Sequence, residues 1–378
     1  MKIGVDGRNL VHNLSGIGRY VWEMSRTLSE RGHSVTIYMP SPPNHSIPEA
    51  QGIQVRISQA RGAFRRTLWS ATRLAKMANL DKVDLFWGPA HRLPRGLHQD
   101  TACVVTVHDM VWRRASQTMR WQTWLGELLF MNNAVKIADS IIAVSDATLK
   151  DVIYYYPEVS EKLRVVHPGI TDFGAVGDMD TGRLKVDRPF ALFVGTLEPR
   201  KNLSRLLEAY SLLGNDLRKN ILLVLAGGRG WGIGELSDMV QKYHVQDTVR
   251  ITGYITDREL SKLYCEAQFL IMPSLYEGFG LPIIEAQQYG TPVIASNISS
   301  MPEVTGDGGL LVNPLDTPEI AFAMYRLATD SSLHAELSRK AKRNSLRFSW
   351  ESAAEKLENI FEECLVKKRK GRNYDVDS

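Results

Sequence analysis

The sequence predicts an α/β protein made of two parallel-sheet halves, and three observations predict it. A strand, a glycine-bearing loop, a helix and a second strand follow one another at the amino terminus, and the same order returns from residue 190. A glycine- and proline-punctuated stretch without apolar periodicity lies between the two. The length, 378 residues, suits two domains at roughly 150 residues each. Strand, loop, helix, strand is the grammar of the βαβ unit, which builds parallel sheets.

The elements follow in order. Ile3 to Val5 is a short apolar strand, and its loop ends in Ser15-Gly16-Ile17-Gly18. The next helix turns Ile17, Val21, Met24 and Leu28 to one face, at helical spacing. It stops near Arg31-Gly32, and Val35 to Met39 is the second strand. In the second half Phe190 to Val194 is a strand and Gly195 to Asn202 a loop. Leu203, Leu206, Leu207 and Tyr210 form a helix face, and Ile221 to Ala226 is a strand closed by Gly227-Gly228. His167-Pro168-Gly169, Gly174, Gly177, Gly182 and Pro189 mark the linker. The domains are therefore read as 1–170, a linker 171–188, a second domain 189–350, and a final helix with a basic tail, 351–378. The tail, Lys367-Lys368-Arg369-Lys370-Gly371-Arg372, is expected to fray.

Composition narrows the class. Hydrophobic residues are 44% and charged residues 23%, which excludes disorder, collagen and coiled coil. Lys+Arg minus Asp+Glu is 46 − 42 = +4, too mild to name a partner. Cys103, Cys265 and Cys364 are odd in number and far apart, against a disulfide framework or a structural zinc site. No apolar run approaches the roughly 18 residues of a membrane span, and the amino terminus reads as a buried strand rather than a signal peptide. A cytoplasmic protein that touches a membrane only from the side is expected.

Four stretches carry chemistry. Gly16-Ile17-Gly18-Arg19-Tyr20 opens a helix, where backbone N–H groups can meet an anion; a plain tight turn is the alternative. A dinucleotide loop fails, because Val21 replaces the third glycine and no acid ends the Val35 to Met39 strand. Val104 to Val107 runs into His108-Asp109 at a strand's carboxyl end, either facing a ligand or packed under a loop with Asp109 as a cap. Gly195-Thr196-Leu197-Glu198-Pro199-Arg200-Lys201-Asn202 sets two cations beside a helix start. They suit a diphosphate or a solvated capping turn. Ser274-Leu275-Tyr276-Glu277-Gly278-Phe279-Gly280-Leu281-Pro282-Ile283-Ile284-Glu285 follows the strand Phe269 to Pro273 and puts Glu277 in a loop and Glu285 one turn into a helix. Asp178-Met179-Asp180 has the DxD form of metal-dependent sugar transferases, but it sits in the linker with no strand leading into it.

Taken together, Gly16-Ile17-Gly18-Arg19-Tyr20, His108-Asp109, Val144-Ser145, Gly195 through Arg200-Lys201-Asn202, and Glu277-x7-Glu285 resemble the family 4 retaining glycosyltransferases over almost the whole chain. The resemblance implies the GT-B fold: two Rossmann-like domains facing a cleft, with a last helix, carrying Trp350, Ala353, Ala354, Leu357, Ile360 and Phe361, crossing back to the first. It implies that Arg200 and Lys201 hold the diphosphate of a nucleotide-sugar donor in place of a metal. Gly16 and Gly18 would approach the same diphosphate or the acceptor. Glu277 would bind sugar hydroxyls, with the backbone of Gly278, Phe279, Gly280 and Leu281. Glu285 would hold the ribose, Gly253-Tyr254-Ile255 would meet the base, and His108 would lend a polar contact at the reacting centre. No cofactor and no metal are implied.

The implied reaction moves a hexose, mannose from GDP-mannose by preference, to a glycan or lipid-linked glycan in polysaccharide or lipopolysaccharide assembly. A UDP-hexose donor is the alternative, a GT-B nucleotide-sugar epimerase a further one, and a nicotinamide-binding protein a third. No nucleic-acid partner is expected. An anionic membrane surface is suggested by Arg61, Arg65, Arg66, Arg73 and Lys76, with Phe64, Leu68, Ala71 and Ala75 turned inward and Trp69 among the cations. Arg113, Arg114 and Arg120 with Trp112, Trp121 and Trp124 repeat the pattern. Solvated basic faces with core tryptophans, or a polyanionic acceptor, are the other readings.

Overall fold

Two all-parallel sheets organise the chain in a computed structural model that describes residues 1–12, 14, 16–47, 49–174, 186–228, 230 and 236–376. Asp178 and Asp180 lie outside the described residues. The chain divides into two units: Met1–Trp112, Arg120–Gly169 and Ser349–Ser378 in the first, Arg113–Met119 and Ile170–Phe348 in the second.

The first unit's strands are β1 (Lys2–Asp6), β2 (Ser34–Met39), β3 (Ile53–Ile57), β4 (Leu85–Gly88), β5 (Ala102–Val107), β6 (Ser140–Ala143) and β7 (Leu163–Val165). They lie in the order β3-β2-β1-β4-β5-β6-β7, every pair parallel. Their helices are α1 (Ile17–Glu30), α2 (Ala63–Thr72), α3 (Leu74–Leu80), α4 (Val111–Arg114, which straddles the division), α5 (Trp121–Ile137) and α6 (Asp146–Tyr155). Val21, Met24 and Leu28 are fully buried, as the period of α1 predicts, while Ile17 is partly buried at its mouth.

The second unit carries α7 (Leu203–Ser211), α8 (Asn215–Asn220), α9 (Leu236–Lys242), α10 (Asp257–Glu266), α11 (Leu281–Gln288), α12 (Met301–Thr305), α13 (Thr317–Thr329) and α14 (Ser331–Ser345). Its strands are β8 (Phe190–Val194), β9 (Leu222–Ala226), β10 (Val249–Gly253), β11 (Phe269–Met272), β12 (Val293–Ser296) and β13 (Gly309–Val312). Their order is β10-β9-β8-β11-β12-β13, again parallel. In each sheet the order reverses at one place, between β1 and β4 and between β8 and β11. Beyond the carboxyl ends of strands at such a switch point, open α/β sheets hold their ligands.

The last helix, α15 (Trp350–Val376), belongs to the first unit. Trp350, Ala353, Ala354, Leu357, Ile360, Phe361 and Cys364 are buried in the same core as Ile3, Val5, Val21 and Trp87. Two expectations are corrected here. The basic tail does not fray near residue 367; it continues α15, with Lys368 Nζ paired to Asp139 at 3.2 Å. The face drawn through residues 64–75 does not exist as one helix, because the chain breaks at Arg73 between α2 and α3. Trp69 is buried and its indole N–H donates to Ser58 Oγ at 2.9 Å, whereas Leu68 is exposed. Ala71 is exposed too, while Ala75 points inward as drawn. Trp112 is likewise a core residue.

Candidate active site

The loops after β8 and β11 form one polar cluster. After β8, Arg200 and Lys201 share a single 3-10 turn, Pro199–Lys201. Asn202, in the left-handed region at φ 60°, ends that turn and opens α7. Its side-chain amide donates to Pro273 O at 3.0 Å and Pro314 O at 2.7 Å, and Leu275 N donates to Arg200 O at 2.8 Å. The two loops are therefore stitched through backbone before any charge is considered. The space is tight: a Cβ on Gly227, at φ 151°, would lie 2.0 Å from Gly195 O, so only glycine fits.

Into this frame Glu277 projects a buried carboxylate. Arg200 Nη1 donates to its Oε2 at 2.6 Å, and Lys201 Nζ to its Oε1 at 2.6 Å. Burial opposes the charge on Glu277, but Arg200 and Lys201 outweigh it and hold the carboxyl down at about 2. Burial also lowers Lys201 from its ordinary value, with Glu277 working against that. Arg200 is clasped on its other edge by Glu198, which accepts from Nε at 3.1 Å and Nη2 at 2.7 Å. Two cations and two carboxylates balance. Ser300 Oγ donates to Glu277 O and Phe279 O, both at 2.9 Å, and Ser299, at φ 59°, bonds the Glu277 backbone from both sides.

The structure thus brings Arg200, Lys201 and Glu277 together and excludes a solvated capping turn for the two cations. Glu285 is buried in the first turns of α11, where Oε2 accepts from the Tyr264 hydroxyl at 2.8 Å. Gly278 and Phe279 lead to Gly280, whose φ of 104° caps α11 just before Leu281. Gly253 ends β10 at φ 69°, followed by exposed Tyr254 and buried Ile255.

In the first unit, Gly16 caps α1 at φ 50° with open space where a Cβ would stand, and Gly18 is buried in the first turn. His108 follows β5. Its Nε2–H donates to Pro89 O at 2.7 Å, and the ring meets Tyr20 edge-on at 4.8 Å between centroids. Burial, reinforced by neighbouring His91, pushes this imidazole down to about 3, so it is neutral at pH 7. Asp109 does cap, accepting from Val111 N at 3.1 Å.

Four residues were missed by sequence reasoning: Glu198, Tyr264, His91 and Glu127. Glu198 stood inside a quoted motif without a role. The other three act on partners distant in sequence, such as His91 on Glu127 across 36 positions, and no local spacing announces them.

Residues 14–172 match the family described as Glycosyltransferase Family 4, and residues 178–344 match Glycosyl transferases group 1. The chain belongs to the family 4 glycosyltransferases. Like others of this family it has the GT-B fold. It is 39% identical over 172 residues to the O-antigen chain mannosyltransferase B of Escherichia coli, covering 46% of this chain and 45% of that one. The match therefore spans less than half of that relative. It is 24% identical to the MMP alpha-(1->4)-mannosyltransferase of Mycolicibacterium hassiacum, over 97% of this glycosyltransferase and 99% of that one. Among solved structures, the sucrose-phosphate synthase of Thermosynechococcus elongatus superposes with a TM-score of 0.79 at 21% identity, covering 97% and 99% of the two chains.

Proposed function

We propose that this glycosyltransferase moves mannose from GDP-mannose, with retention of anomeric configuration and without a metal, to a glycan or lipid-linked glycan in cell-surface polysaccharide or lipopolysaccharide assembly. The observation that carries the reading is the Glu277 carboxylate held between Arg200 and Lys201 beyond β8 and β11. The mannosyltransferase relatives support the choice of sugar.

Arg200 and Lys201 meet the donor diphosphate and stabilise the charge it gains on leaving. Each Glu277 oxygen accepts one bond from a cation, which leaves lone pairs for sugar hydroxyls, alongside the backbone of Gly278, Phe279, Gly280 and Leu281. Glu285 holds the ribose, oriented by Tyr264, and the backbone of Gly253, Tyr254 and Ile255 meets the base. In the first unit, the backbone of Gly16 and Gly18 at the start of α1 suits an anion or the acceptor, and neutral His108 offers a polar contact to a sugar hydroxyl. The bond from C1 to the diphosphate oxygen breaks, the acceptor oxygen bonds C1 on the same face, and the departing diphosphate takes the acceptor proton.

For the membrane partner we favour α5, which keeps Trp121 of the second basic patch, over α2. No helix among the described residues is long and apolar enough to cross a membrane. However, α5 exposes Trp121 (69%), Leu125 and Leu129 on successive turns, and Lys136 lies on the same helix. Lys368 pairs with Asp139 just beyond α5, so the basic end of α15 stands at that helix's end. An apolar stripe with cations beside it suits the cytoplasmic face of an anionic bilayer.

The test is a thermal-shift screen of nucleotide sugars followed by NMR of the early product. GDP-mannose at 100 times its Kd adds about 2.7 kcal/mol and gives the retained anomer, with turnover intact in excess EDTA. Stabilisation by a UDP-hexose alone moves the donor. An inverted anomer, turnover without acceptor, or loss in EDTA rescued by Mn²⁺ each overturns the corresponding part of the proposal.

A further inference from the structure

Beyond the residues named for donor binding, a buried Glu–His pair reaches His108 from behind. His91 is 7% exposed and sits in the left-handed region at φ 58° in the loop after β4. That loop folds back so tightly that a Cβ on Gly88 would lie 1.9 Å from Arg92 O. His91 N donates to Thr106 O at 2.9 Å, fixing the loop to β5. The ring then has one partner at each nitrogen. Nδ1 lies 2.9 Å from Glu127 Oε2, and Nε2 accepts the backbone N–H of His108 at 2.8 Å. Arg92 Nη2 reaches the other Glu127 oxygen at 3.4 Å.

These partners leave one protonation pattern. A backbone N–H can only donate, so His91 Nε2 carries a lone pair. Glu127 is ionised: burial opposes its charge, but His91 and Arg92 hold it down at about 2. Its Oε2 therefore accepts a hydrogen bond from a proton that stays on His91 Nδ1. On the neighbouring ring, Pro89 O can only accept, so His108 carries its proton on Nε2. His108 Nδ1 is left with a lone pair and no partner among the described residues.

We infer that His91 and Glu127 are positioning residues that fix His108 in place and in tautomer, presenting Nδ1 as an acceptor for a sugar hydroxyl. Glu127 orients His91, His91 anchors the His108 backbone, and the same loop's Pro89 carbonyl sets the His108 ring. A neutral acceptor at this point reads a hydroxyl and cannot serve as a general acid. The inference rests on the reading of His108 as a donor-contacting group.

Long-range proton–nitrogen correlation spectra of the full chain, labelled with ¹⁵N-histidine at pH 7, read both tautomers directly. Protonated Nδ1 on His91 and protonated Nε2 on His108 are expected, and the His108 nitrogens shift in Glu127→Gln. A charged or Nδ1-protonated His108, or His108 signals indifferent to Glu127→Gln, overturns the inference. Kinetics supply the second readout. Glu127→Gln and His91→Phe each lower kcat/KM for the donor on the order of 100-fold, and His91→Phe adds no further loss to His108→Ala. Losses that multiply show that His91 acts elsewhere and sink the positioning role. Wild-type transfer by His108→Ala removes instead the role given to His108 under the proposed function, while the spectra still decide whether the pair sets its ring.

Discussion

Glu277 pairs with two cations at once, so its removal acts on both stability and chemistry. The carboxyl titrates near 4.5 when unperturbed and at about 2 in the fold. Its stabilising effect is therefore complete above 4.5 and fades as the pH falls toward 2. Glu277→Gln leaves buried Lys201 without its carboxylate, which costs about 3 kcal/mol at neutral pH. Thermal melts across acid pH should show a flatter dependence in Glu277→Gln than in wild type; parallel curves would mean that the ion pairs contribute nothing. Under the proposed function, transfer by the variant falls on the order of 100-fold, because Arg200 and Lys201 lose their common anchor. Arg200→Ala combined with Lys201→Ala weakens the nucleotide sugar far more than the nucleoside, measured by titration calorimetry. Equal weakening of both ligands would return these residues to a structural turn.

At the scale of elements, α15 has the clearest consequence. Phe361 is fully exposed to no solvent at all, buried against Trp87 with ring centroids 6.3 Å apart. Phe361→Ala removes that packing and costs about 3–5 kcal/mol, read as a lower unfolding midpoint of the unit that holds β1–β7. A change in the midpoint of less than a degree would show that α15 is an appendage. The break at Arg73 gives the opposite lesson. A continuous helical projection needs a continuous helix, and two short helices rotate their faces independently. Within α2 itself Trp69 turns inward to reach Ser58 while Leu68 and Ala71 face solvent, so the surface read from α2 vanished.

For the whole molecule, the proposal that the exposed stripe of α5 and the basic end of α15 meet an anionic bilayer makes a prediction about location. Each cation near an anionic surface contributes about 1 kcal/mol, so binding should be lost as salt rises. Flotation with anionic vesicles is expected to carry the wild-type chain, and neutral vesicles to leave it behind. Trp121→Gln with Leu129→Gln should weaken flotation at unchanged solution turnover on a soluble acceptor. Equal recovery with both vesicle types would remove the membrane from the account.

By itself the sequence determined the two parallel-sheet halves and offered the candidate site residues. Strand–loop–helix–strand is local, and the period of α1, the glycines at helix starts and the Arg200-Lys201 and Glu277-x7-Glu285 spacings all lie within a few turns of chain. These features also place Arg200, Lys201 and Glu277 at strand carboxyl ends, where a parallel sheet gathers its loops. What only tertiary structure decided was partnership across distance. That Glu277 bridges both cations, that Tyr264 steadies Glu285 and that Glu127 reaches His108 through His91 all depend on which elements lie side by side. Strand order in a parallel sheet is set by long-range packing of apolar faces, and such contacts leave no period in the sequence. The fate of Trp69, Trp112 and Trp121 has the same origin: a tryptophan beside arginines reads alike whether a neighbouring strand covers it or water does.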